Sequence, residues 1–291
     1  MFLPRKVVEE KLRKFLEEDL GQGDVTTELT VPEGTIVDAE IVAKESGTVA
    51  GLEETLIFLE SFGLKTDTKA SDGVDVRPRT VLLKVTGDAR TLLSLERVLL
   101  NLLSRMSGIA TMTRQISRKL REAGYNTRVA CTRKVAPGLA YFDKKAVLIG
   151  GGDVHRLHLD DMILIKDNHI ATVGSLEGAI ERAKEKASFS KKIEVEVSSL
   201  KDALKAAEAK ADIIMLDNFM PSQIRETLKA LERRKLRGNV MIEASGGISE
   251  KNVLEFAATG VDIVSLGELT QSVRVLDISL DVVSAKKGQN K

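Results

Sequence analysis

From about residue 110 onward, short apolar segments alternate with helical ones, and this alternation limits the folds that the chain can adopt. The apolar segments are RVACT, DMILIK, KIEVEV, DIIMLD, NVMIEASGG and VDIVSLG. Short apolar segments separated by helices are typical of parallel strands joined by crossover connections. Six such units follow one another, and no Rossmann glycine fingerprint follows the first strand. The pattern therefore predicts a barrel of parallel strands rather than a doubly wound sheet.

The first third of the chain has a different, mixed pattern. TIVDAEIVAKESGTVAG and TVLLKVTG alternate as strands do, and GLEETLIFLESFG is helical, whereas GDVTTELTVPEG is rich in turn residues. DARTLLSLERVLLNLLSRMSGIA predicts a helix that ends near Gly108, and ATMTRQISRKLREAG predicts a second helix after it.

One segment near the C-terminus does not fit the barrel repeat. LDISLDVV alternates apolar and polar residues with period two, so we expect an antiparallel strand that returns to the sheet of the first domain. The sequence thus predicts two domains: an N-terminal α/β domain formed by residues 1–109 plus 271–291, and an α/β barrel formed by residues 110–270.

Composition excludes several classes of protein. With 43% hydrophobic residues in 291, the chain can bury a sizeable core, and the single Cys131 cannot form an intrachain disulfide. A pI of about 7.8 and 3% aromatic residues argue against a nucleic-acid-binding face. No apolar run reaches the roughly 18 residues of a membrane span. We therefore expect a soluble cytoplasmic protein with neither nucleic acid nor membrane as a partner.

The predicted strand ends carry charges and glycines. The active sites of α/β barrels lie at the carboxyl ends of the strands. Glu194 and Glu196 alternate with valines and would point to one side of the sheet, so at least one of them is expected in the barrel interior. Glycines after the last two strands suit a phosphate site. The other residues selected in this way are Arg133, Lys134, Lys166, Asp217, Ser245, Gly246, Gly247 and Gly267.

The stretch GGGDVHRLHLDDMILIKDNH contains all three histidines of the chain. His155 and Arg156 follow three glycines with only Asp153 and Val154 between, a pattern that predicts an anion-binding turn. His155 and His158 are three residues apart, but the stretch has no thiolate motif, so zinc is disfavoured. His158 and His169 have either a structural or a functional role. Cations at this density indicate a small, multiply anionic substrate beside a phosphorylated one. The carboxylates fit either magnesium on a pyrophosphate or ribose hydroxyls and a developing positive charge.

Taken in order, these motifs resemble those of the quinolinate phosphoribosyltransferases, also called nicotinate-nucleotide pyrophosphorylases (carboxylating). The resemblance covers essentially the whole chain. Its motifs are DLGQGDVTTELTVP, SGTVAGLE, LERVLLNLLSRMSGIAT, TRKVAPGL, AVLIGGGDVHRLHLDDMILIKDNHI, EVEV, IIMLDNF, EASGGI and VSLGELT. The resemblance implies an N-terminal open α/β sandwich and an incomplete TIM-like α/β barrel, with the last strand returning to the sandwich.

The resemblance also implies an activity. Quinolinate and phosphoribosyl pyrophosphate would give nicotinate mononucleotide, pyrophosphate and carbon dioxide, with Mg²⁺ required, in NAD biosynthesis. The enzyme would be a pentosyltransferase. It would form a homodimer with shared active sites, or a hexamer.

Residue roles follow from the same resemblance. The residues that would bind the quinolinate carboxylates and a nearby phosphate are Arg133, His155, Arg156 and Lys166. Those that would bind phosphate are Lys134 and, for the 5′-phosphate, Ser245, Gly246, Gly247 and Gly267. Glu196 and Asp217 would contact the ribose hydroxyls directly or through magnesium, and they would form the catalytic set with Lys166. Arg97 would reach into the active site of the other subunit.

Two positions depart from the family pattern. Val154 replaces an asparagine before the His-Arg pair, and Gln271 replaces a histidine after the last glycine loop.

Three other functions remain open. The nearest alternative is a related transferase that uses nicotinate or another anionic base. A second is an aldolase-type barrel in which Lys166 forms a Schiff base. A third is a non-catalytic metabolite sensor.

Overall fold

The structure, a computed structural model, describes residues 3–287. Within that range the chain divides into two compact units, one of residues 3–112, 148–150 and 273–287 and the other of residues 113–147 and 151–272. The ends of the domain prediction, residues 1–2 and 288–291, lie outside the described residues. Among those described, no helix combines the length and the apolar character needed to cross a bilayer.

The first unit contains a four-stranded antiparallel sheet in the order β12-β1-β5-β3. Its strands and two-residue segments are β1 (Thr35–Ala43), β2 (Gly47–Thr48), β3 (Lys65–Thr68), β4 (Asp75–Val76), β5 (Val81–Asp88) and β12 (Ile278–Lys287). Its helices are α1 (Arg5–Leu20), α2 (Val25–Thr30) and α3 (Leu52–Ser61), and α1 contacts α3. Val37, Ala39 and Ile41 alternate as buried residues along β1, as the period of a half-buried strand requires.

The returning C-terminal strand is confirmed. β12 pairs with β1 along its whole length, from Ala43 opposite Ile278 to Thr35 opposite Lys287, with one irregularity between Asp38 and Ala39. The last strand of the chain thus forms an edge of the sheet of the first unit.

The turn-rich stretch after α1 contains a helix that the sequence interpretation missed. α2 begins after Asp24, whose side chain accepts the Thr27 N–H at 3.0 Å. Aspartate is a preferred residue at this capping position, because its carboxylate satisfies a free N–H of the first turn. The sequence GDVTT contains this capping signal, since Asp24 directly precedes the first helical residue.

The predicted helix boundary at Gly108 was wrong. A single helix, α4 (Ala89–Glu122), continues through this glycine for 34 residues. A Cβ at Gly108 would lie 2.1 Å from the Arg274 carbonyl oxygen and 2.9 Å from Val275 Cα. Glycine is needed here because another segment packs against the helix backbone, and not because the helix ends.

The second unit contains a parallel six-stranded sheet in the order β6-β11-β10-β9-β8-β7. The strands are β6 (Arg128–Cys131), β7 (Ile163–Ile165), β8 (Ile193–Val197), β9 (Ile213–Asp217), β10 (Met241–Ser245) and β11 (Ile263–Leu266). The helices are α5 (Ala140–Ile149), α6 (Asp167–Val173), α7 (Leu176–Lys186), α8 (Leu200–Glu208), α9 (Pro221–Arg233), α10 (Val253–Ala257) and α11 (Glu268–Gln271), with a short 3-10 helix at Arg237–Asn239. The first strand in sequence pairs with the last, and β6 and β7 form the two edges. This is the incomplete α/β barrel that was expected.

Replacing Gly108 with alanine should destabilise the protein. In a free helical position alanine is about 1 kcal/mol more favourable than glycine. Here the added methyl group meets the Arg274 carbonyl, and overpacking of this kind costs on the order of 2 kcal/mol or more. Urea unfolding of Gly108→Ala measures the change. Gly238→Ala is the control, because nothing lies within 4 Å of the added Cβ. A Gly108→Ala protein as stable as the wild type would contradict the close approach.

Candidate active site

A cavity of about 580 Å³ lies at the carboxyl ends of the six parallel strands of the second unit. Its size falls within the roughly 300–1,000 Å³ of small-molecule sites. Its lining consists of Cys131, Thr132, Arg133, Lys134, His155, Arg156, Leu164, Lys166, Glu196, Met215, Asp217, Asn218, Glu243, Ser245, Gly246, Gly247 and Ser265. Every strand of the barrel contributes at its end, as parallel topology requires. We call this cavity the anion pocket.

Four cationic side chains line the anion pocket. Arg133 and Lys134 follow β6, Lys166 follows β7, and Arg156 comes from the loop between α5 and β7. Arg156 is buried, and burial is the main cause that lowers its pKa, followed by the charge of Arg133. A guanidinium that has lost most of its water in this way gains strongly from an anionic ligand.

Two carboxylates line the same cavity. Glu196 of β8 forms an ion pair with Lys166. Asp217, the last residue of β9, accepts a hydrogen bond from Asn218 Nδ2 at 2.7 Å. The side chains of Glu196 and Lys166 are 17% and 42% exposed, so this ion pair remains open to an incoming ligand.

A second, deeper group of ionisable side chains surrounds His155. Its Nε2 lies 3.1 Å from Glu194 Oε2 and 3.2 Å from Glu243 Oε2, and both glutamates are completely buried. Glu243 also accepts a hydrogen bond from the Ser265 hydroxyl. We call the three residues His155, Glu194 and Glu243 the buried cluster. It lies at one wall of the anion pocket, which both His155 and Glu243 line.

The buried cluster retains protons that free side chains would release at neutral pH. Burial lowers the pKa of His155, but Glu194 and Glu243 outweigh burial and raise that pKa to about 10. Burial is also the main cause that raises the pKa of Glu194. The proton that a free histidine would lose near neutral pH is therefore retained at His155, beside Glu194 and Glu243. His155 Nδ1 accepts the Arg156 N–H at 2.8 Å, so Nε2 is the ring nitrogen that faces the two glutamates with a proton.

The same hydrogen bond decides whether the buried cluster binds a metal. The ligand atoms of the three residues lie within 4.8 Å of one another. A histidine that binds a metal through Nε2 carries its proton on Nδ1, and Nδ1 here faces a backbone donor. The buried cluster is therefore built to hold protons. Glu196 and Asp217 are the carboxylates of the anion pocket that fit a magnesium ion, which prefers one or two carboxylates together with substrate phosphates.

The loop after β10 is shaped for a close approach by a ligand. Gly246 and Gly247 have φ angles of +94° and +63°, in the left-handed region that favours glycine. A Cβ on Gly246 would lie 2.3 Å from Asn218 Oδ1, whereas one on Gly247 would meet nothing within 4 Å. Gly247 thus leaves the backbone open on the side of the cavity, which suits a phosphate group.

Most of the predicted site residues meet in the anion pocket, and four of the predicted or considered positions lie elsewhere. Gly267 lies outside the lining, with Lys134 Cδ 3.6 Å from where its Cβ would be. His158 and His169 are exposed, and His169 Nδ1 accepts the Lys166 N–H at 3.0 Å, a structural role.

Arg97 lies on α4 in the first unit, with its side chain exposed. The apolar residues around it are buried, among them Leu92, Leu95, Val98, Leu99, Leu102 and Leu103. The apolar side of this helix is therefore covered within the chain itself.

Sequence reasoning missed Glu243, Asn218 and Ser265. A signal existed for Glu243, because it is two residues before Ser245 on the same strand and so points to the same side of the sheet. The pairing of Glu243 with Glu194 depends on the register of β8, β9 and β10, which no local pattern specifies.

The fold and the pocket together define an α/β-barrel protein that binds a multiply anionic small molecule at the carboxyl ends of its strands. Residues 24–107 match the N-terminal domain, and residues 109–281 the C-terminal domain, of quinolinate phosphoribosyl transferase. A protein of Methanocaldococcus jannaschii named "probable nicotinate-nucleotide pyrophosphorylase (carboxylating)" is 52% identical over 274 residues, 94% of this chain and 96% of that protein. The Mycobacterium leprae nicotinate-nucleotide pyrophosphorylase (carboxylating) is 43% identical, over 93% of this chain and 95% of its own.

Solved structures agree with these relatives. The crystal structure of NadC from Streptococcus pyogenes superposes with a TM-score of 0.87 at 36% identity, over 98% of this chain and all of that one (100%). The chain belongs to the quinolinate phosphoribosyl transferase family.

The protons of the buried cluster should make stability fall with rising pH. The pKa of His155 in the folded protein lies above the value of about 6.5 of a free histidine. Its contribution to the free energy of unfolding is therefore complete below about pH 6.5 and is lost as the pH rises towards 10. His155→Gln lacks this contribution. Urea unfolding should show the difference between wild type and variant shrinking by on the order of 2 kcal/mol from pH 6 to pH 10. A difference independent of pH would contradict the retained protons.

Proposed function

We propose that this protein transfers the phosphoribosyl group from phosphoribosyl pyrophosphate to quinolinate and removes one carboxyl group. The products are nicotinate mononucleotide, pyrophosphate and carbon dioxide, as in NAD biosynthesis. The observation that carries this proposal is the anion pocket, where four cations face Glu196, Asp217 and a glycine loop in a chain of this family. A dianionic ring and a phosphorylated sugar together need cations of this number.

The ion pair between Lys166 and Glu196 places two opposite charges together at the ends of β7 and β8. When quinolinate enters, Lys166 exchanges Glu196 for a substrate carboxylate. Glu196 is then free to turn to the ribose, beside Asp217. The exchange replaces one charge-assisted contact with another, so neither charge is left unpaired in the bound state.

Loss of pyrophosphate leaves positive charge on the anomeric carbon. Glu196 and Asp217, held at the ends of adjacent strands β8 and β9, supply fixed negative charge for that oxocarbenium-like state. The nitrogen of the quinolinate ring attacks this carbon, and the pyrophosphate leaves with its bonding electron pair. The side chains are thus required to bind, orient and stabilise charge.

Decarboxylation follows at the carbon next to the quaternised nitrogen. The electron pair of the broken bond remains on that carbon beside the positive nitrogen, and a proton replaces the lost carboxyl group. Arg133, Arg156 and Lys166 would hold the carboxylates in place during this step. Cys131 also lines the pocket, but burial raises its pKa and keeps the thiol protonated, so a covalent thiolate step is disfavoured.

We also propose that Mg²⁺ takes part, held by Glu196 and Asp217 together with the substrate pyrophosphate. Two carboxylate oxygen donors beside a phosphate-binding loop are the protein ligands that this ion accepts. The bound ion would offset the charge of the departing pyrophosphate. We place the protein in the cytoplasm, because its only cysteine is a free thiol.

The alternatives that the sequence left open fit the pocket less well. Nicotinate has one carboxylate and would leave cations of the pocket without partners. An aldolase would need Lys166 as a free amine, whereas an ammonium in an ion pair with Glu196 has no lone pair for a Schiff base. A sensor would not need two carboxylates opposite the phosphate loop.

Quinolinate with phosphoribosyl pyrophosphate and Mg²⁺ should yield nicotinate mononucleotide and carbon dioxide in equal amounts. Nicotinate in place of quinolinate, or omission of the metal, should give little product. Lys166→Ala should lower kcat/KM about 30-fold or more, which corresponds to the roughly 2 kcal/mol of a charge-assisted contact. Chromatography of the nucleotide and trapping of labelled carbon dioxide measure both products. Turnover of nicotinate equal to that of quinolinate would overturn the substrate assignment.

We propose further that the active enzyme is a homodimer, alone or within a hexamer, in which Arg97 completes the anion pocket of the partner subunit. The family resemblance supports this proposal, as does the exposure of the Arg97 guanidinium. The Arg97 side chain contributes little to folding in that position and is free to bind an anion on a neighbouring molecule.

Mixing inactive Arg97→Ala and Lys166→Ala subunits should restore activity. In a random mixture about half of the dimers are mixed, and each of these has one site with both lesions and one intact site. Activity should return to about a quarter of wild type. The assay follows quinolinate turnover before and after subunit exchange, and native mass spectrometry confirms the exchange. Complete exchange without recovery would mean that Arg97 does not act across an interface.

A further inference from the structure

Lys144 of α5 is a lysine whose side chain is completely buried. Its Nζ donates hydrogen bonds to the carbonyl oxygens of Val154 and of Arg156, the latter at 2.9 Å, and lies 3.7 Å from Cys131 Sγ. Lys144 does not line the anion pocket, so it has no direct part in binding a substrate.

These contacts match an ammonium group. An ammonium has three N–H donors, and Lys144 has three acceptors: two carbonyl oxygens and one sulfur. None of the three is a carboxylate, and burial is the main cause that lowers the pKa of Lys144. Burying a charge without an ion pair costs several kcal/mol. An apolar residue would be more favourable at this position if the position served only the core.

The two carbonyls that Lys144 binds flank His155. The φ angle of His155 is +52°, in the left-handed region, which costs a residue with a side chain about 1–2 kcal/mol. The same turn is braced by the His155 N–H, which donates to Asp153 Oδ1 at 2.8 Å, and by the Arg156 N–H, which donates to the ring at 2.8 Å. Lys144 therefore binds the carbonyls of the residues immediately before and after a strained residue.

These hydrogen bonds determine where two pocket residues point. Reversing the φ of His155 would turn its ring away from Glu194 and Glu243 and would change the direction of the Arg156 side chain that follows. Both residues line the anion pocket. A change at Lys144 would thus alter the positions of His155 and Arg156 in the anion pocket through the backbone, although Lys144 itself does not contact the ligand.

We propose that Lys144 positions His155 and Arg156 for binding quinolinate in the anion pocket, acting through its hydrogen bonds to the carbonyls of Val154 and Arg156. The proposal rests on the proposed function, since quinolinate is the ligand whose carboxylates these two residues would bind. Lys144→Met removes the hydrogen bonds and the charge but keeps the length of the side chain. Lys145→Met is the matched control, because it removes the neighbouring buried ammonium of the same helix.

Steady-state kinetics and binding separate positioning from a general loss of structure. Lys144→Met should raise the KM for quinolinate about tenfold or more and leave the KM for phosphoribosyl pyrophosphate within about twofold. Calorimetry should show the same weakening of quinolinate binding. Lys145→Met should leave the ratio of the two KM values unchanged. A wild-type ratio in Lys144→Met would overturn the proposal, as would an equal change in both variants.

The histidine ring gives a readout that does not depend on turnover. The chain has three histidines, so ¹⁵N-labelled histidine gives few signals, and His155→Gln assigns the relevant one. In the wild type, Nδ1 and Nε2 of His155 should have shifts set by the Arg156 N–H and by the two glutamates, and Lys144→Met should change that signature. An unchanged signature would overturn the proposal.

Two further outcomes remain decisive. If Lys144→Met does not fold, Lys144→Gln, whose side chain is uncharged and one bond too short to reach both carbonyls, undergoes the same comparison with the same criteria. If the wild type does not convert quinolinate, the proposed function fails. In that case the histidine signals still decide whether Lys144 holds the turn.

Discussion

Parallel pairing of six strands is the constraint on which the pocket depends. Each strand ends at the same edge of the sheet, so residues as distant in sequence as Arg133 and Ser265 line one cavity. No single loop carries the site. The chemistry is distributed over the ends of strands whose register is fixed by a buried apolar sheet, in which Val195, Ile214 and Val264 are completely inaccessible. The rigid sheet holds the charged residues at its strand ends in fixed positions, so charges of opposite sign remain close together.

The charges form two layers with different roles. The outer layer, formed by the four cations with Glu196 and Asp217, exchanges partners when ligands enter. The inner layer is the buried cluster, whose two glutamates have no contact with bulk water and face the ring of His155. His155 belongs to both layers, since its ring contacts the glutamates and lines the cavity. The backbone at His155 has a left-handed φ angle, and Lys144 binds the carbonyls of the residues before and after it.

Much of this arrangement could be predicted from local patterns. The alternation of strands and helices predicted the barrel, and the alternation of Glu194 and Glu196 with valines correctly indicated the interior of the barrel. The period of LDISLDVV indicated the returning strand. What could not be predicted depends on contacts between distant segments. Gly108 looked like a helix end because a local pattern does not reveal the chain at Arg274 that needs the space. Lys144 looked like one charge among many on an amphipathic helix, because the carbonyls that it binds become neighbours only after folding.

The position of Cys131 gives this protein an internal probe of its own opening. It is the only thiol in the chain, it ends the edge strand β6, and its side chain is inaccessible. A thiol reagent can react with it only when the side chains packed around its sulfur, such as Lys144, move apart, so the rate of labelling reports how often this occurs. Ligands that close the pocket will slow the reaction by the factor with which they suppress opening. Occupancy of the site can thus be followed through a slow chemical reaction at a residue that takes no part in catalysis.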